Sequence, residues 1–410
     1  VSNLFSDAGL PHTLLPDAEL VEALQLIRSE NIGAVTFHAL VARFSSPKRA
    51  LASLPEFLAT RKTKRPISLA GRDVAEKELE AAGKFGAVPV LYGSPLYPAR
   101  LAQLNDAPPI LFALGCTELL EAPRMLAMVG ARNASAQGFA FARQLARDAV
   151  AAGILPISGL ARGIDAAAHQ GALEAEAGAT IGVIAGGINT IYPTENAKLY
   201  ERMRHEGLIL SEQPFGMEPQ ARAFPARNRI IAGLAQATLV VEAALRSGSL
   251  ITAEYAADAG REVFAVPGNP LDPRVHGTNK LLKQGAHLTE GMEDILAHWP
   301  QSLMQTSPRT NLERVEPVAR HAPAPTEAIQ PLTPEAGIVL STTESSITPS
   351  TTESLGAHIR AKLSHSMVLV DELAAQCNVP PGLLQAVLIE LELDGTILRG
   401  PGNRVALRAA

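Results

Sequence analysis

Four arginines stand where apolar runs break into turns of small residues. Arg132 closes Gly130-Ala131-Arg132, Arg162 sits in Ser158-Gly159-Leu160-Ala161-Arg162-Gly163, and Arg227 and Arg229 follow Phe224-Pro225. A guanidinium meets a phosphate with two donors in a planar fork, so these residues suit a polyanion. Gly130, Gly159, Gly163, Gly186, Gly187 and Gly248 leave room for a strand against the backbone. Ser158, Ser247, Ser249 and Thr252 add hydroxyl donors near helix starts, whose unpaired N–H groups favour anions. Phe224 offers a ring for an unstacked base, a contact of roughly 1–3 kcal/mol that tolerates any base. Asn228 and Arg229 can instead cap or pair within the helix they open, and Phe224 can be core. Several phosphates in a row fit this set better than one small molecule.

Asp165 and His169 lie four apart and so share one helical face, which permits a general acid/base pair. A structural hydrogen bond that fixes the turn is favoured, because no nucleophile or metal-ligand cluster accompanies them. Glu242, ending an apolar run, can hold the fork of Arg227 or Arg229 or act as a catalytic carboxylate; the first is favoured. No catalytic residue, metal or cofactor is therefore expected. No Gly-x-x-x-x-Gly-Lys-Ser/Thr loop occurs, which argues against an ATP motor. After Gly130 come Arg132 and then Gly138, so an arginine would obstruct a dinucleotide's pyrophosphate. Oxidoreductase chemistry is not expected.

The elements that must position these turns show as an alternation of periods. Strand candidates are 88–91, 110–114, 125–129, 155–158, 180–185, 208–211, 238–242 and 262–266, with amphipathic runs such as 135–152, 164–177, 196–206 and 250–259 between them. Strands of which the later ones are short and almost wholly apolar, alternating with helices, imply a doubly wound α/β fold with a mostly parallel sheet buried on both faces. The carboxyl ends of such strands share one edge, where ligands bind. The chain divides into a small helical domain at 1–75, the α/β domain at 76–300, a linker at 301–352 and a final domain at 353–410. The linker lacks any sustained period and is rich in Pro, Ser, Thr and Glu. Three helical runs followed by a hairpin around Gly400-Pro401-Gly402 make the last domain a winged helix.

Composition bounds the partners. The 410 residues are 47% apolar, and the formal charge of -5 requires a local basic patch for any nucleic-acid binding. The two cysteines, Cys116 and Cys377, give neither a disulfide framework nor a metal spacing. No long apolar span and no basic-then-apolar leader is found, so a cytoplasmic location without membrane contact is expected. The winged helix carries five basic against six acidic residues from 351 onward, with Glu390, Glu392 and Asp394 on its third helix. No aromatic follows Trp299. Such a module reads nucleic acid poorly, and a protein-contact or structural role is expected of it.

The order of motifs carries a resemblance. Val129-Gly130-Ala131-Arg132, Ser158 to Asp165 with His169, Tyr192-Pro193-Thr194-Glu195-Asn196, Ser211-Glu212, Phe224 to Leu234, Val241-Glu242, Ser247 to Thr252 and Val266-Pro267-Gly268 occur in register. The chain resembles the DNA-processing protein A family, also called DprA or Smf, most closely over about residues 90–290. The resemblance implies an extended Rossmann-like core, a SAM or helix-hairpin-helix-like N-terminal domain and a DML1-like winged helix. It also implies a dimeric, non-enzymatic protein that binds and protects single-stranded DNA and helps load the RecA recombinase during natural transformation. The alternative is a nucleoside monophosphate hydrolase of the lysine-decarboxylase-like group. Its Pro-Gly-Gly-x-Gly-Thr-x-x-Glu signature is replaced here by Pro267-Gly268-Asn269-Pro270.

Overall fold

The computed structural model describes residues 17–59, 68–300, 349–363, 367–377, 379–400 and 402–408. Four helices open it: α1 (Asp17–Ile27), α2 (Ala34–Phe44), α3 (Pro47–Ala59) and α4 (Arg72–Phe85). The expected boundary at residue 75 falls inside α4, which Gly86 ends in the left-handed conformation. Arg28, the residue after α1, pairs with Glu78 on α4 at 2.8 Å. Leu24, Phe37, Leu40 and Leu54 are buried with Phe112, Leu114 and Ile209 of the sheet, so these helices share a core with the α/β domain.

The sheet has nine strands: β1 (Val88–Leu91), β2 (Ile110–Gly115), β3 (Met125–Val129), β4 (Leu155–Ser158), β5 (Ile181–Val183), β6 (Leu208–Ser211), β7 (Ala237–Val240), β8 (Glu262–Ala265) and β9 (His287–Leu288). Their order is β1-β2-β6-β5-β4-β3-β7-β8-β9. β1 and β2 run antiparallel to their neighbours, and all pairs from β6 to β9 are parallel. All eight expected strands are present; β9 was not foreseen, because two residues carry no period.

The helices α5 (Ala136–Ala151), α6 (Ile164–Glu174), α7 (Ala197–Glu206), α8 (Ala223–Leu234), α9 (Ser249–Asp258), α10 (His276–Lys283) and α11 (Met292–Ala297) connect the strands. Alternate residues of β3 serve the two faces. Leu126 and Met128 pack with Leu145 and Ala149 of α5, whereas Met125, Ala127 and Val129 pack with Ile230 and Ile231 of α8. From β3 the chain moves outward through β4, β5 and β6, then returns to add β7 on the other side. β3 and β7 are therefore the switch point of the sheet, where the connections diverge and leave a crevice at the carboxyl edge.

Of the linker expected at 301–352, only 349–352 fall among the described residues, and they begin α12 (Pro349–Lys362). The winged helix continues with β10 (Val368–Leu369), α13 (Val370–Cys377), α14 (Pro381–Leu393), β11 (Ile397–Gly400) and β12 (Arg404–Leu407). The three strands pair in the order β10-β12-β11. Its third helix, α14, does not present Glu392 to nucleic acid: the carboxylate accepts from Thr36 of α2 at 2.7 Å and from Arg399 at 3.1 Å.

Candidate nucleic-acid interface

The turns after β3 and β7 enclose a cleft of about 620 Å³ at the switch point, lined among others by Gly130, Arg132, Phe224, Ser247 and Gly248. Three turns of this edge lock into one another. Ala131 N–H donates to Glu242 O at 2.6 Å, and Ile164 N–H donates to Ala131 O at 3.2 Å. Arg132 is exposed and forms no ion pair among the described residues; its guanidinium lies 4.6 Å over the Phe224 ring. Such a cation–π contact contributes roughly 0.5–1 kcal/mol at an exposed site, little enough for a phosphate to displace it. A second cleft of about 260 Å³ shares Arg132, Asn133 and Ala161 with the first and adds Arg162, Tyr192 and Pro193. Arg162 is exposed there and pairs with Glu195 at 2.7 Å.

Two expected guanidinium groups are elsewhere. Residues two apart on a helix point about 200° from each other, so Arg227 and Arg229 of α8 cannot face one ligand. Arg227 is 4% exposed and donates to the carbonyls of Gly159 and Val183. Burial pushes its pKa down to about 10, against the field of Asp165. Arg227 borders the cleft from below and is not a rim fork. Arg229 is 7% exposed, pairs with Glu212, and lies 3.5 Å from Asp106. It leaves the rim altogether.

Most of the expected glycines are filled by the protein itself. A side chain on Gly159 would meet the Arg227 guanidinium, on Gly130 the Ile164 side chain, and on Gly163 the Ala131 carbonyl. Gly186 and Gly187 lie against the segment from Pro214 to Pro219. Only Gly248, of the six, faces open space. The local economy is intramolecular: close packing of turns, not strand access, explains five of these positions.

Hydroxyls and carboxylates divide in the same way. Ser158 is fully buried and donates to Met128 O at 2.5 Å, and Thr252 is 1% exposed. Ser247 and Ser249 share a hydrogen bond of 2.7 Å at the start of α9, while Asn228 Nδ2 donates to Gly248 O at 3.1 Å. Glu242 does not hold either arginine fork. Its carboxylate accepts from Ser135 Oγ at 2.6 Å and Ser135 N–H at 3.1 Å, at the N-terminus of α5. A buried carboxylate there meets unpaired amide donors and the positive end of the helix dipole.

Asp165 and His169 act on the turn after β4. Asp165 Oδ2 accepts from Ala161 N–H at 3.4 Å, and burial raises its pKa against the field of Arg227. His169 Nε2 accepts from Leu160 N–H at 3.3 Å, which places the ring proton on Nδ1, 2.8 Å from Thr180 Oγ1. Leu160 has φ 55°, so the histidine fastens a left-handed residue. Burial, aided by Arg227, lowers the His169 pKa to about 3. The unfolded chain takes up a proton near pH 6.5 and the folded chain does not, so stability falls as pH drops from about 6.5 toward 3. Between pH 7 and pH 5 the loss from this residue is on the order of 2 kcal/mol. Urea unfolding at the two pH values measures it; His169→Gln should remove that component, and an equal acid loss in both chains would refute it.

Asn133, Arg246 and Arg274 also line the first cleft, and the sequence reading did not single them out. Arg246 is exposed beside the cleft and forms no ion pair among the described residues, and Arg274 pairs with Asp272 at 2.7 Å. Arg246 directly precedes the small turn Ser247-Gly248-Ser249, so the rule that found Arg132 could have found it.

The family model for DNA recombination-mediator protein A matches residues 89–300, a DprA-like N-terminal HHH domain matches 17–81, and a DprA winged helix domain matches 343–403. The chain belongs to the DNA recombination-mediator protein A (DprA/Smf) family. Protein Smf of Escherichia coli is 36% identical to this family member over 324 residues, 77% of this chain and 76% of its own length. DNA processing protein DprA of Bacillus subtilis is 44% identical over 209 residues, 51% of this chain and 70% of its own. The X-ray structure of DprA from Streptococcus pneumoniae superposes with a TM-score of 0.54 at 34% identity, covering 64% of this chain and 86% of that one.

Proposed function

We propose that this member of the DprA/Smf family binds single-stranded DNA along the carboxyl edge of its sheet, without catalysing a reaction on it. The observation that carries the reading is Arg132, an exposed guanidinium with no carboxylate partner among the described residues, at the junction of two clefts at the switch point. Arg246 and Arg162 extend the basic path on either side, and Ser247, Ser249, Asn228 and Gly248 supply a polar, open turn. Phosphate contacts of this kind fix the strand without selecting its sequence. The carboxylates that an enzyme would use are engaged: Glu242 on α5, Asp165 on its own turn. That favours binding over hydrolysis of nucleoside monophosphates.

The family resemblance extends the reading to protection of incoming single strands during natural transformation and their transfer to RecA in the cytoplasm. A homodimer belongs to the same reading. β9 pairs on one side only, and Leu288 on it is 50% exposed, which supplies an edge for self-association. No helix among the described residues is long and apolar enough to cross a membrane.

Fluorescence anisotropy of a labelled single-stranded oligonucleotide, with unlabelled duplex as competitor and at two salt concentrations, tests the function. Expected are salt-sensitive binding, weak dependence on base sequence and poor competition by duplex. Equal competition by duplex, or no binding at low salt, defeats the proposal.

A further inference from the structure

The winged helix keeps its own apolar core: Ile359, Leu373, Leu388 and Val405 are buried among themselves, apart from the clusters of the other domains. It meets those domains at its third helix and its wing, the surface with which such folds usually read nucleic acid. On α14, Glu392 accepts from Thr36 Oγ1 at 2.7 Å. Helix α2 starts after Gly33, which supplies no side-chain cap, and its first turn has no acidic residue. Glu392 therefore brings from another domain the negative charge that this helix end lacks. Arg399 holds the carboxylate in place, donating to it at 3.1 Å and to Gln385 at 3.0 Å. At the wing, a side chain on Gly402 would lie 2.8 Å from the Asp258 carboxylate of α9, so the turn comes this close only without one. A cavity of about 570 Å³ borders both points, so the contact is a pair of latches around a space and not a continuous seam. Its walls are shared with the strand cleft. Ala226 and Arg229 of α8 with Tyr255 and Asp258 of α9 line the cavity. Phe224 and Asn228 of α8 with Ser249 and Thr252 of α9 line the first cleft. Ala232 of α8 packs on Tyr255 and Ala256 of α9, so one double-helix wall divides the two spaces.

We propose that the docked winged helix is an internal brace for the strand cleft, latched by Glu392 on Thr36 and by the wing on α9, and acting through the wall of α8 and α9. The inference rests on the single-strand reading above and adds what the last domain does for it. The reading surface of this winged helix is occupied by protein, a use that an acidic third helix suits. Ordering the wall in advance lowers the entropy cost of ligand binding, so the docked chain holds a strand more tightly than the undocked one. Linkage makes the effect mutual: a bound strand tightens the docking by the same factor. No phosphate contact is gained or lost, so the salt slope of strand binding stays the same. A polar contact built around a cavity opens readily, as interfaces between domains of one chain commonly do.

The test uses the full chain, hydrogen exchange read by mass spectrometry, and anisotropy of a labelled oligothymidylate at two salt concentrations. Glu392→Lys sets a cation against the positive end of α2 and should release the winged helix. Thr36→Val keeps the buried shape and removes only the donor, so it should act in the same direction with a smaller effect even where Glu392→Lys disturbs the winged helix itself. Expected are faster exchange in the first turn of α2 and along α9, and oligothymidylate binding weaker by about 5-fold or more in Glu392→Lys, the low end of ordinary coupling between sites. The salt slope should match that of the unaltered chain. In the unaltered chain, saturating oligothymidylate should slow exchange in α14 and the wing. Unchanged exchange in both variants overturns the latch. Faster exchange with affinity within about twofold, or with tighter binding, overturns the brace. A shallower salt slope in the variants also overturns it, because the winged helix would then be touching phosphate directly. Each of these results leaves the single-strand reading intact. Absence of any single-strand binding by the unaltered chain overturns that reading and the brace with it, while the exchange data still report the latch.

Discussion

An Arg132→Ala chain binds single-stranded DNA roughly 10- to 150-fold more weakly than the original, the range for one lost charge-assisted hydrogen-bonded contact. The loss is uniform across base sequences, and the slope of log affinity against log salt becomes shallower by about 0.7, the value for one phosphate on a single strand. The expectation follows from the position of this guanidinium: exposed, without a carboxylate partner among the described residues, and shared by both clefts. Arg132→Lys keeps the charge but loses the fork and should fall between the two. Stability should be little altered, because only the Phe224 contact is surrendered. Unchanged affinity in an Arg132→Ala, Arg246→Ala chain would remove the main support for the proposed function.

Arg229→Ala should act in the opposite manner, costing stability and not affinity. Removing Arg229 strands the Glu212 carboxylate in a largely buried setting, its side chain 15% exposed, with the Asp106 carboxylate nearby. Deleting one partner of a buried pair typically costs about 3–5 kcal/mol, because the remaining charge keeps its desolvation penalty. Thermal unfolding should show this as a drop of roughly 6–20 °C for a domain of this size. Substituting both residues, as Arg229→Met with Glu212→Gln, should recover part of the loss. At low temperature the folded Arg229→Ala chain should bind single strands within about twofold of the original. A large affinity loss at an unchanged melting temperature would return Arg229 to the DNA.

The contrast between these arginines marks what the sequence could disclose. Strands such as Met125–Val129 were legible because residues buried on both faces leave an unbroken apolar run. The Gly130-Ala131-Arg132 turn was legible because a turn between strand and helix at the carboxyl edge has few other places to go. Arg227 and Arg229 look alike in sequence, but α8 is buried on almost every side, and only its packing reveals that each cation is enclosed. The signal that they diverge was present in their spacing of two. The glycines misled for a related reason: a residue type announces that something comes close, not whether that neighbour is a ligand or another turn. Gly159 has Arg227 as its neighbour and Gly163 has Ala131. Helix α4 stayed silent because its charged surface dilutes a stripe held by Ala75 and Ala82.

The occupation of the α5 N-terminus by Glu242 bears on discrimination. Enzymes that grip mononucleotides commonly lend the polyphosphate a free helix end. Here an internal carboxylate already sits at that end, bound through Ser135. A free nucleoside triphosphate would find isolated guanidiniums and no amide cradle on α5, whereas a polymer adds modest contacts over successive residues of one chain. The abundant metabolite pool should therefore compete poorly for this edge, and a long single strand can hold it in the presence of that pool.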